Sequence, residues 1–121
     1  MKFIKRETEP HTLTIGGNEY PAIYNFAAIK AQEDITKCSH VMTTTRMING
    51  IYTSKDIIGI TYGMLSAAGV ECEPDDIANS IKLNEENELI EQLLEIMSDQ
   101  MPERDEDEEP KNVEGAAETE T

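Results

Sequence analysis

Basic residues are scarce in this chain: 10 lysines and arginines stand against 25 aspartates and glutamates, a formal net charge of -15 over 121 residues. A field of that sign repels phosphate backbones and anionic lipid surfaces. It argues against a membrane surface, and against nucleic-acid binding except through mimicry of DNA itself. Cysteine is nearly absent too. Cys38 and Cys72 are too few for a disulfide scaffold and form no C-x-x-C pair, as suits a reducing compartment. No run of about 18 apolar residues occurs, and the opening Met1-Lys2-Phe3-Ile4-Lys5-Arg6-Glu7 is charged with no apolar stretch behind it. Neither a membrane span nor a signal peptide is therefore expected, and the expected location is cytoplasmic.

Large apolar residues are also missing from one end. Residues 103–121 hold nine acids, two bases and a single large aliphatic residue, Val113. Such a segment buries too little apolar surface to offset the entropy of ordering, which predicts a disordered acidic tail after one domain over residues 1–102. A chain near this length buries roughly two-thirds of its unfolded surface, enough for one core.

What is present reads as a mainly α-helical α+β fold. Leu13 and Ile15 alternate with Thr12 and Thr14, and Gly16-Gly17-Asn18 tolerate positive φ, so Thr12 to Ala22 is predicted as a two-stranded hairpin. Asn25 suits the cap of a helix with Phe26, Ala28, Ile29, Ala31 and Ile35 at three- and four-residue steps, weakening around Thr36 to Ser39. Residues 40–53 support two readings. Val41 to Ile48 has strand-like β-branching, whereas Met42, Arg46 and Asn49-Gly50 suit a short helix with a glycine stop.

Ser54 is the expected cap of a helix that is apolar on nearly every side from Ile57 to Ala68 and stops at Gly69. Pro74 fits the first turn of a short helix, with Asp75 and Asp76 at its positive end and Ile77, Ala78 and Ile81 facing inward. Asn84, Glu85 and Glu86 begin the last helix. Its Leu89, Ile90, Leu93, Leu94, Met97 and Met101 form an amphipathic stripe closed by Pro102. The sum is an N-terminal hairpin and a bundle of about four helices.

No catalytic or metal constellation emerges. Cys38, His40, Cys72 and His11 lack the two close-spaced ligand pairs usual for zinc, and a buried cysteine beside a surface histidine accounts for them better. Cys38 and His40 are two residues apart and do not face each other on a helix, which weakens a nucleophile pair. The acidic pairs Glu33-Asp34, Asp75-Asp76 and Glu85-Glu86 diverge by about 100° on a helix and read as dipole partners or solvated faces. The tail acids lack the glycine and spacing of an EF-hand loop, and Gly16-Gly17 belongs to no phosphate-loop pattern. No enzyme activity and no cofactor are expected.

Two apolar features remain as binding candidates. Gly59, Gly63 and Ala67 make a flat strip where another backbone approaches closely. Internal packing competes with that reading, because a helix apolar all round is usually interior. The stripe of Leu89, Ile90, Leu93, Leu94 and Met97 poses the same choice between core and partner groove. Met42, Met47 and Met64 would add adaptable surface if exposed.

The order of these segments resembles a known family. The hairpin with Ile15-Gly16-Gly17-Asn18-Glu19-Tyr20 comes first, then Tyr24-Asn25-Phe26 opening a helix that bears Gln32-Glu33. The central Ser54-Lys55-Asp56-Ile57-Ile58 helix ends at Ala67-Ala68-Gly69, and Glu73-Pro74-Asp75-Asp76-Ile77 precedes the last amphipathic helix. Over residues 12–101 this resembles the tail assembly chaperones of long-tailed bacteriophages and prophages.

The resemblance implies a non-enzymatic protein that coats the helical, apolar tape-measure protein before the tail tube polymerises and is absent from the finished tail. It also implies a longer, frameshifted product whose extra domain engages the tail-tube protein, with Pro110-Lys111-Asn112 as one place for an A-rich slip. Homo-oligomers are compatible with it. On this reading the partner surface includes Gly59, Gly63, Ala67, Leu89, Ile90, Leu93, Leu94 and Met97. The competing expectation is an acidic inhibitor or DNA mimic that fills a basic groove.

Overall fold

The computed structural model describes residues 1–100; the predicted acidic tail, Met101 and the Pro102 stop lie outside the described residues. Strand β1 (His11–Ile15) turns at Gly16-Gly17, φ 60° and 84°, into the antiparallel strand β2 (Asn18–Ala22), with Ile15 opposite Asn18. Both turn residues need positive φ, so the glycines fix this two-residue hairpin and its register. The same register places Thr14 opposite Glu19 in a non-hydrogen-bonded pair, with Thr14's backbone groups directed away from β2. Thr12 pairs likewise with Pro21, where proline's missing N–H removes nothing from the ladder.

Helix α1 (Phe26–Thr36) begins where the Asn25 side chain accepts from the Ala28 N–H and ends at Lys37, which adopts φ 62°. The ambiguous stretch is helical. Helix α2 (His40–Asn49) starts at Ser39, whose hydroxyl accepts from the Met42 N–H, and stops at Gly50 with φ 74°. Local capping at both ends thus outweighs the β-branching of Thr43-Thr44-Thr45.

Helix α3 (Ser54–Ala67) is capped by Thr53, not Ser54: Thr53 and Asp56 form a reciprocal capping box. Gly69, φ 89°, ends it, with the Val70 N–H returning to the Leu65 carbonyl at 2.9 Å. Helix α4 (Pro74–Ala78) is a single turn or so, and helix α5 (Glu86–Asp99) follows a 3-10 turn at Leu83–Glu85, two residues later than the acidic cluster at Asn84 suggests.

The core gathers Leu13 and Ile15 from β1, Tyr24 and Ala28, Ile60, Met64 and Leu65 from α3, Ile77 from α4, and Leu89, Leu93, Ile96 and Met97 from α5. Helices α1 and α3 form the closest helix pair, and the hairpin lies across α3 and α5. The Ile23 N–H donates to the Met64 carbonyl at 3.0 Å, fastening the exit from the hairpin to the central helix. Each large aliphatic buried this way contributes about 1.5–3 kcal/mol relative to exposure. No helix among the described residues is long and apolar enough to cross a membrane.

Candidate functional site

Most of the residues read from sequence as a partner surface are buried within the chain itself, as the competing internal-packing reading expects. A Cβ at Gly59 would meet Thr36 Cγ2 at 2.7 Å, and one at Gly63 would fall on the Ala28 carbonyl oxygen. The flat strip of α3 is therefore already covered by the backbone of α1. Ala67, farther along, is half-buried and packs on the core. Leu89, Ile90, Leu93 and Met97 are 8% exposed or less, and Leu94 packs half-buried beside them. Of the methionines suggested as adaptable surface, Met47 and Met64 are buried and only Met42 is exposed. A small-residue strip and an amphipathic stripe look the same in sequence whether the chain or a partner covers them.

Large apolar side chains are left open singly at Phe26 and Leu83, in the N-terminal arm at Phe3 and Ile4, and as a group on and just after α2. Val41 is 61% exposed, Met42 55% and Ile48 67%, and Ile51 just beyond the Gly50 stop is 66% exposed. Val41, Thr45 and Ile48 recur at the four- and three-residue steps of one helix face, while Thr43 and Met47 point inward. The spacing was present in the sequence. The strand-like β-branching of Thr43-Thr44-Thr45 and a threonine at a buried position mask it.

Met47 packs into the core, and beside it α2 is held by polar contacts. Arg46 donates from Nε to Asp56 Oδ2 at 2.9 Å and from Nη2 to Asp56 Oδ1 at 2.7 Å, a two-pronged pair across the α2–α3 junction. Asp56 is 1% exposed and also accepts the Thr53 N–H at 3.0 Å. The guanidinium, together with the Thr53 bonds, outweighs burial and holds the Asp56 carboxyl below the usual carboxylate range.

Arg46 Nη2 also donates to Cys38 Sγ at 3.2 Å, and Thr43 Oγ1 lies 3.4 Å from the same sulfur. Thr43 first and Arg46 second pull the Cys38 thiol below its ordinary value. Glu33 Oε2 accepts the His40 N–H at 2.9 Å, joining α1 to the start of α2. Met47 and a polar layer therefore anchor the inner side of α2, while Val41 and Ile48 on its outer side stay open.

Other groups considered from sequence are dispersed. Cys38 and His40 lie at the α1–α2 junction, Cys72 precedes α4, and His11 Nε2 sits 3.5 Å from Asp99 Oδ2 at the start of β1. Among the described residues no three His, Cys, Asp or Glu side chains gather as a metal site. A groove of about 440 Å³ runs between the hairpin turn and α5, floored by Ile15, Ile81 and Leu89 and walled by Glu85, Glu88, Glu91 and Glu95.

Comparisons with protein-family models, with curated proteins and with solved structures gave no match.

Proposed function

We propose that this chain is a non-enzymatic assembly chaperone of the phage-tail kind it resembles, holding the tape-measure protein in solution through the outer face of α2. The observation that carries the reading is a group of exposed apolar side chains, Val41, Met42 and Ile48 on α2 with Ile51 just beyond it, on a chain of net charge -15. Apolar residues at helical spacing suit the apolar face of a long partner helix, and the surrounding charge opposes aggregation of the complex. The order and spacing of the hairpin and helices support the same reading by resemblance.

A row of carboxylates favours a second reading. Glu85, Glu88, Glu91 and Glu95 form no ion pair among the described residues, as an acidic inhibitor of a basic protein would require. Co-expression with the long helical tape-measure candidate of the same genome separates the two. The chaperone reading predicts that the candidate becomes soluble and co-purifies, with binding that survives about 0.5 M salt. An insoluble candidate, together with salt-sensitive capture of a basic nucleic-acid enzyme, supports the inhibitor.

A further inference from the structure

The glutamate groove matches the chemistry of one segment of the chain itself. Its floor is apolar, its open side carries four carboxylates without basic partners, and its far rim is the Gly16-Gly17 turn. A complementary occupant combines positive charge with one or two large apolar side chains. Lys2-Phe3-Ile4-Lys5-Arg6 has that composition and holds three of the chain's ten basic residues. Phe3 is 92% and Ile4 87% exposed, and Lys2, Lys5 and Arg6 make no ion pair among the described residues.

We propose that the Lys2–Arg6 segment of one copy docks in the groove between the hairpin turn and α5 of a second copy, so that the chain self-associates through its N-terminal arm. Docking within one chain is opposed by the path it needs. The arm joins the body at His11, beside Asp99 at the C-terminal end of α5, whereas the groove runs back from Glu95, one turn earlier on α5, toward the Gly16-Gly17 turn, opposite to the direction in which the arm leaves β1. Returning there requires a reversal at Pro10 and a run along the outer edge of β1. That edge is already occupied at Thr14 by the Gln92 side chain, through bonds of 2.7 and 3.1 Å. A second copy brings its arm to the groove without that reversal. This inference is independent of the tape-measure reading.

The test is zero-length carbodiimide coupling, which joins a lysine amine to a carboxylate with loss of water, in an equimolar mixture of unlabelled and 15N-labelled full chain. The expected result is amide links from Lys2 or Lys5 to Glu88, Glu91 or Glu95 between unlabelled and labelled chains, in statistical proportion. Sedimentation should show self-association that weakens about tenfold or more between ~0.05 and ~0.5 M salt. It should be lost in Glu88→Lys/Glu95→Lys, two exposed positions, and regained when Lys2→Glu/Lys5→Glu/Arg6→Glu is added to that chain. Links confined to chains of one isotope, or a sedimentation coefficient unmoved by reversing the charge of the arm, would overturn the proposal. Circular dichroism of each variant confirms that it is folded.

Discussion

The side-chain amide of Gln92 on α5 completes the outer edge of β1 at Thr14: the Thr14 N–H donates to Oε1 at 2.7 Å, and Nε2 donates to the Thr14 carbonyl at 3.1 Å. A glutamine thereby takes the place a third strand would have. An open edge of this kind is a template for pairing with other chains. Here it is closed on one side by Gln92 and obstructed on the other by Pro21, in an outward position of β2. Gln92→Leu removes both bonds and is expected to lower stability by about 1–2 kcal/mol in urea unfolding. It should also speed exchange of the Thr14 amide hydrogen, and an unchanged exchange rate would mean that the edge is protected by something else.

The two α3 glycines differ in what an added methyl group meets. At Gly63 it lands on backbone, the Ala28 carbonyl, whereas at Gly59 it meets the Thr36 side chain at 2.7 Å. Gly63→Ala is expected to destabilise by about 3 kcal/mol or to prevent folding, and Gly59→Ala by about 1–2 kcal/mol. Thermal unfolding ranks the pair, and equal effects would mean that α1 does not approach α3 as described.

Arg46→Met leaves the Asp56 carboxylate buried without its cation. The expected result is a lower midpoint in urea unfolding. Because the folded Asp56 titrates below its unfolded value of about 3.9, the stability from this pair is present above that pH and is lost as pH falls through the lower folded value. Acid unfolding of the wild type should therefore be steeper below about pH 4 than that of Arg46→Met. Parallel pH profiles would show that the pair contributes nothing.

Cys38 and Cys72 should react at different rates. The Thr43 hydroxyl and Arg46 favour the Cys38 thiolate, whereas burial, then Asp76 and Glu73, push the Cys72 thiol up. Iodoacetamide at neutral pH is expected to modify Cys38 first, by about tenfold or more, and Arg46→Met should narrow the difference. Mass spectrometry of the two peptides reads both rates. Equal rates in the wild type would contradict the thiol–guanidinium contact.

Gln32 is fully buried on α1, and neither end of its amide has a hydrogen-bond partner among the described residues. Gln32→Met keeps the shape and removes the unpaired polar atoms, so a gain of about 1 kcal/mol is expected in urea unfolding. A loss would show that the amide is bonded in solution.

The parts of the fold written in local chemistry were legible from sequence. Gly16-Gly17 specifies the hairpin, Asn25 starts α1, and Gly69 stops α3, because each acts through neighbouring backbone. The nature of α2 was not legible in the same way. Three adjacent threonines favour strand, and its anchor, Arg46 on Asp56, spans the intervening Gly50 turn and becomes visible only once both helices are placed. Which apolar faces stay open was the least legible feature. Gly59, Gly63 and Leu93 carry the pattern of a binding face, yet the chain itself covers them.

The most direct test of the chaperone reading replaces Val41 and Ile48 by glutamate and measures retention of the tape-measure candidate on the purified chain. Both side chains are more than half exposed, so folding should be unchanged by circular dichroism and urea unfolding. The account predicts that Val41→Glu/Ile48→Glu stays folded and loses the candidate to the insoluble fraction, while a Glu71→Lys control on the far loop keeps it soluble. Full retention by the folded α2 variant would contradict the assignment of this face.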